Sequence, residues 1–159
     1  MTSRNESPRV VVGVDGSDSS INALRWAARL APGLGAGIDA VTAWEVPNTY
    51  GFVAFPEDYR PDIDAVSVLR TALVDAFGDN LPSGLRQRVA KGNAALVLTD
   101  ASREATMVVV GSRGHGGFAG LLLGSVSSHV AEHAACPVLV VRQGARGLGE
   151  PADPQTGDR

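Results

Sequence analysis

The residues best suited to chemistry in this chain are Gly111, Ser112, Arg113 and Gly114, followed after nine residues by Gly124 and Ser125. The apolar run Met107-Val108-Val109-Val110 leads into this stretch, and a helical apolar spacing begins after Ser125. Read together, these are a buried strand, a glycine-rich turn and the first turn of a helix. Glycines let a backbone approach a phosphate closely, and the unpaired N–H groups of a helix's first turn point at it. The expected chemistry is anion binding, with a nucleotide's phosphates as the anion. Gly111, Gly114 and Gly117 would let the main chain wrap them, with Gly116 in the same loop, and Ser112 can add a hydroxyl. Ser125 would give its hydroxyl and N–H to a phosphate oxygen, with Val126 and Ser127 beside it and the helix dipole favouring the charge. Arg113 is the nearest fixed positive charge, and it and His115 can each face either phosphate or solvent.

Two common nucleotide patterns do not apply. A Walker loop is excluded because Ser125 follows Gly124 directly and no Lys lies nearby. A Rossmann fingerprint is excluded by the glycine register and by the loop's late place in the chain. A third pattern competes: His129, Glu132 and His133 spell HxxEH, a zinc-peptidase arrangement with two His on one helix face. That site needs a further protein ligand, and the chain after it offers only Glu150, Asp153 and Asp158. A solvated helix face is the expected fate of these histidines, and no metal site is expected.

The elements that must position the loop alternate regularly. Residues 9–15, RVVVGVD, read as a central strand covered on both faces, and they end on Asp15. Asp15 can either turn the chain into the next helix or meet a ligand beyond the strand's carboxyl end. Ser17 or Asp18 caps a helix with Ile21, Leu24, Ala28 and Ala31 inward, stopped at Pro32-Gly33. Residues 37–46 make a second strand, and residues 47–61 an irregular loop with Tyr50, Phe52, Phe55 and Tyr59. A helix opening at Asp62 shows Ile63, Val66, Leu69, Leu73 and Phe77 at helical spacing. Residues 85–91 form a third strand, and Asn93 can cap a helix with Ala94, Leu98, Ala101 and Ala105 inward. Residues 137–142 complete the set as a fifth strand. Five strand–helix alternations call for an α/β layered sheet with right-handed crossovers.

Composition sets broad bounds. At 159 residues and a formal net charge of −3, the chain reads as one domain with no general affinity for nucleic acid. Its single cysteine, Cys136, excludes an internal disulfide and fits a reducing compartment. The polar N-terminus has no signal-peptide core, and no apolar run approaches a membrane span, so a cytoplasmic protein without membrane contact is expected. Residues 1–8 and 144–159 read as disordered tails around a domain of residues 9–143.

The spacing Gly111-x-x-Gly114, nine residues, Gly124-Ser125 resembles the ATP-binding signature G-2x-G-9x-G-[S/T] of the universal stress protein family. The resemblance covers residues 9–142 and marks a single copy of a unit that often occurs in tandem. It implies a three-layer open sandwich of the adenine nucleotide alpha hydrolase-like kind, a five-stranded parallel sheet in order 3-2-1-4-5 with helices on both faces. Such an order sets strands one and four side by side, which brings Asp15 beside the Gly111 loop. By the same resemblance Asp15, with Gly13 before it, contacts adenosine, while Ala43 and Gly92 approach the nucleotide through their backbones. ATP is the implied ligand, with Mg²⁺ or Mn²⁺ offsetting its charge, although no acidic residue in the loop marks a metal ligand. No carboxylate or His is placed to orient a water, and no P-loop Lys would stabilise a transferring phosphoryl group. A nucleotide-binding regulator in the stress response is therefore expected ahead of a slow ATPase or a nucleotide-independent interaction module. The family's dimerisation strand matches residues 137–142, which implies a homodimer whose downstream partner is unknown.

Overall fold

The computed structural model describes residues 7–48, 50–52, 54–114 and 123–144. Strands β1 (Arg9–Gly13), β2 (Gly37–Trp44), β3 (Arg86–Lys91), β4 (Met107–Gly111) and β5 (Val138–Val141) form one sheet in order β3-β2-β1-β4-β5. Every pairing is parallel, with Val10 opposite Ile38 on one side and Met107 on the other. Successive side chains of a strand point to opposite faces, so the valine runs feed two cores. Val10, Val12, Ile38 and Ala40 pack with Leu24, Leu69 and Leu73. Val11, Val41, Val108 and Val110 pack with Leu98 and Val130 on the other face. Helices α1 (Asp18–Leu30) and α2 (Pro61–Phe77) thus cover one face, and α3 (Ala94–Ala101) and α4 (Ser125–His133) cover the other. This is the three-layer sandwich in the expected strand order.

The details depart from simple periodicity in instructive ways. Strand β2 ends at Trp44, leaving Val46 half exposed. In α1 the inward stripe runs through Ile21, Ala23, Leu24 and Ala27, so Ala28 is only partly buried. Helix α2 starts at Pro61, whose fixed φ suits a first helical position. Its inward stripe is Ala65, Leu69, Ala72 and Leu73, while Ile63 and Val66 are about half exposed. At about 100° per residue Ile63 and Val66 fall to the side of that stripe, so they face outward. Helix α3 stops at Ala101, so Ala105 falls beyond it. Of the two expected tails, residues 1–6 and 145–159 lie outside the described residues, as do Thr49 and Val53 of the irregular loop.

The amino ends of the strands are tied together by Arg9, which is nearly buried. Its Nε donates to the Asp39 carboxylate at 2.8 Å, and a terminal nitrogen donates to the carbonyls of Ile38 at 2.6 Å and Gly84 at 3.0 Å. Gly37 leaves the space the guanidinium occupies. Because the strands are parallel, this tie sits at the opposite end of the sheet from the glycine loop. Asp39→Ala should leave the guanidinium with carbonyl partners alone. The Asp39 side chain is 26% exposed, so the loss is smaller than for a fully buried pair. Urea denaturation should show a variant less stable by about 1–3 kcal/mol, and an unchanged midpoint would contradict a structural role for the pair.

Candidate functional site

Parallel pairing of β1 with β4, with Val12 opposite Val109, delivers the ends of both strands to the same spot. The chain leaves β1 through Val14, Asp15, Gly16 and Ser17, with Gly16 at φ 83° in the left-handed region that favours glycine. Asp15 accepts the Ser17 N–H at 2.9 Å and the Ser17 hydroxyl as well. Ser17 in turn caps α1 by accepting from the Ser20 N–H at 3.3 Å. Asp15 therefore turns the chain into α1 and also lines the cleft beyond the sheet.

The loop leaving β4 passes directly over the first turn of α1. A Cβ on Gly111 would stand 2.7 Å from the Ser19 carbonyl carbon and 2.8 Å from its Cβ. One on Gly114 would overlap the Asp15 carboxylate. Glycine is thus required at position 111 by a backbone contact, whereas at 114 a methyl group would displace the end of the Asp15 side chain. Gly124 differs, since its nearest potential neighbours lie 3.5–3.7 Å away, an ordinary contact distance. Serines hold the loop's ends: the Ser112 N–H donates to Val141 at 2.8 Å. The Ser112 carbonyl accepts from the Gly124 N–H at 2.7 Å and from the Ser127 hydroxyl at 2.9 Å.

A cleft of about 540 Å³ opens above these elements, within the ordinary range of small-ligand sites. On the β2–α3 side its wall is apolar, made by Val41, Ala43, Ala94 and Leu98. On the β4–α4 side it is lined by Gly111, Arg113, Gly114, Gly124 and the first turn of α4. That turn has no side-chain cap among the described residues, whereas Ser17 caps α1 and Asn93 caps α3. The open N–H groups and the positive end of the helix dipole make this side receptive to an anion. Among the described residues lining the cleft, Asp15 is the only carboxylate and none is a Lys.

Of the expected site residues, Gly13, Asp15, Ala43, Gly111, Arg113, Gly114, Gly124, Ser125, Val126 and Ser127 line the cleft. Ser112 does not, because its side chain is buried behind the loop. Nor does Gly92, which sits at φ 135° after β3 and donates its N–H to Trp44 at 2.8 Å. His115, Gly116 and Gly117 lie outside the described residues. The sequence reading missed Val41, Ala94 and Leu98 as wall residues, since an apolar wall and an apolar core leave the same trace in a sequence. His129 and His133 stack with ring centres 4.3 Å apart, and no cluster of three or more potential metal ligands exists among the described residues. Cys136 is half buried, and that burial pushes its thiol pKa up, so it stays protonated at neutral pH.

The two kinds of glycine should behave differently. Gly111→Ala overpacks the contact with Ser19 and should lower stability to urea by about 1–3 kcal/mol. Gly124→Ala, with room for a methyl group, should unfold within about 0.5 kcal/mol of the wild type. Equal losses in both variants would refute this distinction.

Comparison with known proteins agrees with the geometry. The universal stress protein family matches residues 7–142. Universal stress protein Rv2623 of Mycobacterium tuberculosis (strain ATCC 25618 / H37Rv) is 34% identical over 151 residues, which are 89% of this chain and 50% of the relative. The chain spans about half the length of the curated relatives it matches. A universal stress protein solved in complex with cAMP is 29% identical, with a TM-score of 0.55 over 86% of this chain and 97% of the other. An Arabidopsis thaliana universal stress protein family member solved with AMP bound shares the fold, at 21% identity and a TM-score of 0.53 over 92% and 98% of the two chains. With the family matching every described strand and helix, and Gly111, Gly114 and Gly124 set around one cleft, the chain belongs to the universal stress protein family.

Proposed function

We propose that the chain binds an adenine nucleotide, ATP, in this cleft, and that occupancy of the site is its output as a regulator in the stress response. The observation that carries this reading is the uncapped first turn of α4 beside the glycine loop, facing an apolar wall across the cleft. Adenine suits the Val41, Ala43, Ala94 and Leu98 wall, and phosphates suit Ser125, Val126 and the Gly111–Gly114 backbone. Asp15 lies between them, where a ribose would stand. The cAMP-bound relative supports the ligand class, and AMP on the Arabidopsis protein is of the same class. A divalent ion would add positive charge to the phosphates, which would themselves be its main ligands, because Asp15 is the only carboxylate among the described residues of the cleft.

Binding without fast turnover fits the same lining. Asp15 already accepts from Ser17, and no described histidine lines the cleft to orient an attacking water. Calorimetric titration should show ATP binding by the wild type. Ser125→Ala should weaken it by about 1 kcal/mol or more, since its partner is a charged phosphate. Asp15→Ala should weaken it as well. Wild-type affinity in both folded variants would move the ligand elsewhere, and rapid single-turnover hydrolysis with Mg²⁺ or Mn²⁺ would replace binding by catalysis.

We also infer a homodimer through β5. This strand is at a sheet edge, and Val138, Leu139 and Val140 are only half buried. The carbonyls of Pro137 and Val141 accept from Val108 and Ser112, so by alternation Val138 and Val140 turn their backbone groups outward. An apolar edge of this kind is an association hazard unless covered, and the same strand of a second copy covers it in a closed two-fold arrangement. Sedimentation should find a dimer at micromolar concentration, and Val140→Pro, which removes an outward N–H, should give monomer or aggregate. A monomeric wild type would overturn the proposal.

A further inference from the structure

We infer that Ser19 is a positioning residue for the phosphate side of the cleft, holding the Arg113–Gly114 start of the β4 loop in place through the Arg113 carbonyl. The inference rests on the nucleotide reading above and deepens it. Ser19 stands in the first turn of α1, where a serine hydroxyl ordinarily serves its own helix. Here Ser17 already caps that helix, and the Ser19 hydroxyl donates instead to Arg113, 94 residues away, at 2.5 Å. The Ser19 side chain is buried, and Gly111 lies against it without a Cβ to hold it off. The Ser17 hydroxyl also approaches the Arg113 carbonyl, at 3.4 Å, but its single proton goes to Asp15.

Fixing that carbonyl fixes the Arg113–Gly114 peptide. It thereby sets where Gly114 meets Asp15 and where the Arg113 side chain begins. Ser19 itself does not line the cleft, so it acts on a ligand only through the loop. A peptide already fixed before the ligand arrives spares binding the cost of fixing it. The effect is confined to ligands with phosphates. Adenosine alone would meet the Val41, Ala43, Ala94 and Leu98 wall and the Asp15 carboxylate, which is held by its own bonds to Ser17 and not by the Ser19 hydroxyl.

The test uses Ser19→Ala and Ser19→Cys. Alanine is the better helix former, and cysteine fills the serine's space with only a weak donor. ATP and adenosine affinities would be measured by calorimetry, and amide exchange at Ser112 and Gly124 by hydrogen–deuterium exchange without ligand. ATP should bind about fivefold more weakly in both variants, the usual worth of one hydrogen bond, with adenosine affinity unchanged and exchange accelerated at both amides. Equal weakening of ATP and adenosine would indicate a general structural effect and overturn the inference, as would unchanged ATP affinity. Wild-type behaviour in the cysteine variant would overturn the hydrogen bond's role in favour of packing. If the wild type binds neither ATP nor adenosine, the nucleotide reading fails by itself. The exchange rates then decide the matter alone, and unchanged exchange in Ser19→Ala would overturn the positioning role.

Discussion

The passage of the β4 loop over the first turn of α1 is the constraint on which the cleft depends. Two backbones that close together leave no room for a Cβ at position 111, and one at 114 would push the Asp15 carboxylate aside. They can meet only because β1 and β4 are paired neighbours, so the exits of the two strands share one place above the sheet. The contact is held by Ser19 reaching the Arg113 carbonyl and by Gly114 resting on Asp15, which itself braces Ser17. One side of the cleft is therefore built from segments nearly one hundred residues apart in the chain, locked by small side chains that leave space for the main chain.

The rest of the molecule serves to keep that crossing rigid. Two valine-rich cores clamp the sheet from both faces, and Arg9 ties the amino ends of β1 and β2 to the turn before β3. Catalytic and binding groups in open α/β sheets gather at the carboxyl ends because helices start there with unpaired N–H groups. Of the helices that begin at this end, α1, α3 and α4 border the cleft, and their caps decide what each can do. Ser17 and Asn93 satisfy the amides of α1 and α3 from within the chain, while α4 opens on Gly124, which has no side chain to offer. The receptive helix is the one whose cap residue is a glycine.

The two edges of the sheet are built on different principles. Strand β3 exposes Arg86, Gln87 and Arg88, and charges on an edge discourage pairing with another chain. Strand β5 has valines and a leucine instead, with no charged residue within its bounds. A protein that guards one edge and leaves the other apolar has a preferred side for association, and this asymmetry underlies the dimer proposed above.

Much of this was legible in the sequence. Strand and helix alternation, the valine strands, the Ser17 and Asn93 caps and the Gly111, Gly114 and Gly124 spacing are all encoded by residues within a few positions of one another. Local periodicity records local geometry, so the fold class and the lip of the cleft could be read directly. What packing decided lies across long separations. Gly111 is required by the Ser19 backbone of another segment and Gly114 rests on the Asp15 carboxylate, while Gly124 is free of such contact, and one glycine looks like another in a sequence. Ser112 and Ser127 read as phosphate donors, yet the first is buried behind the loop and the second bonds to the first's carbonyl. Ile63 and Val66 read as core, yet the helix buries the stripe of Ala65, Leu69, Ala72 and Leu73 and leaves them outward. Which atoms meet depends on how far each helix is rotated and how closely it packs, and those quantities are set only when the layers close on one another.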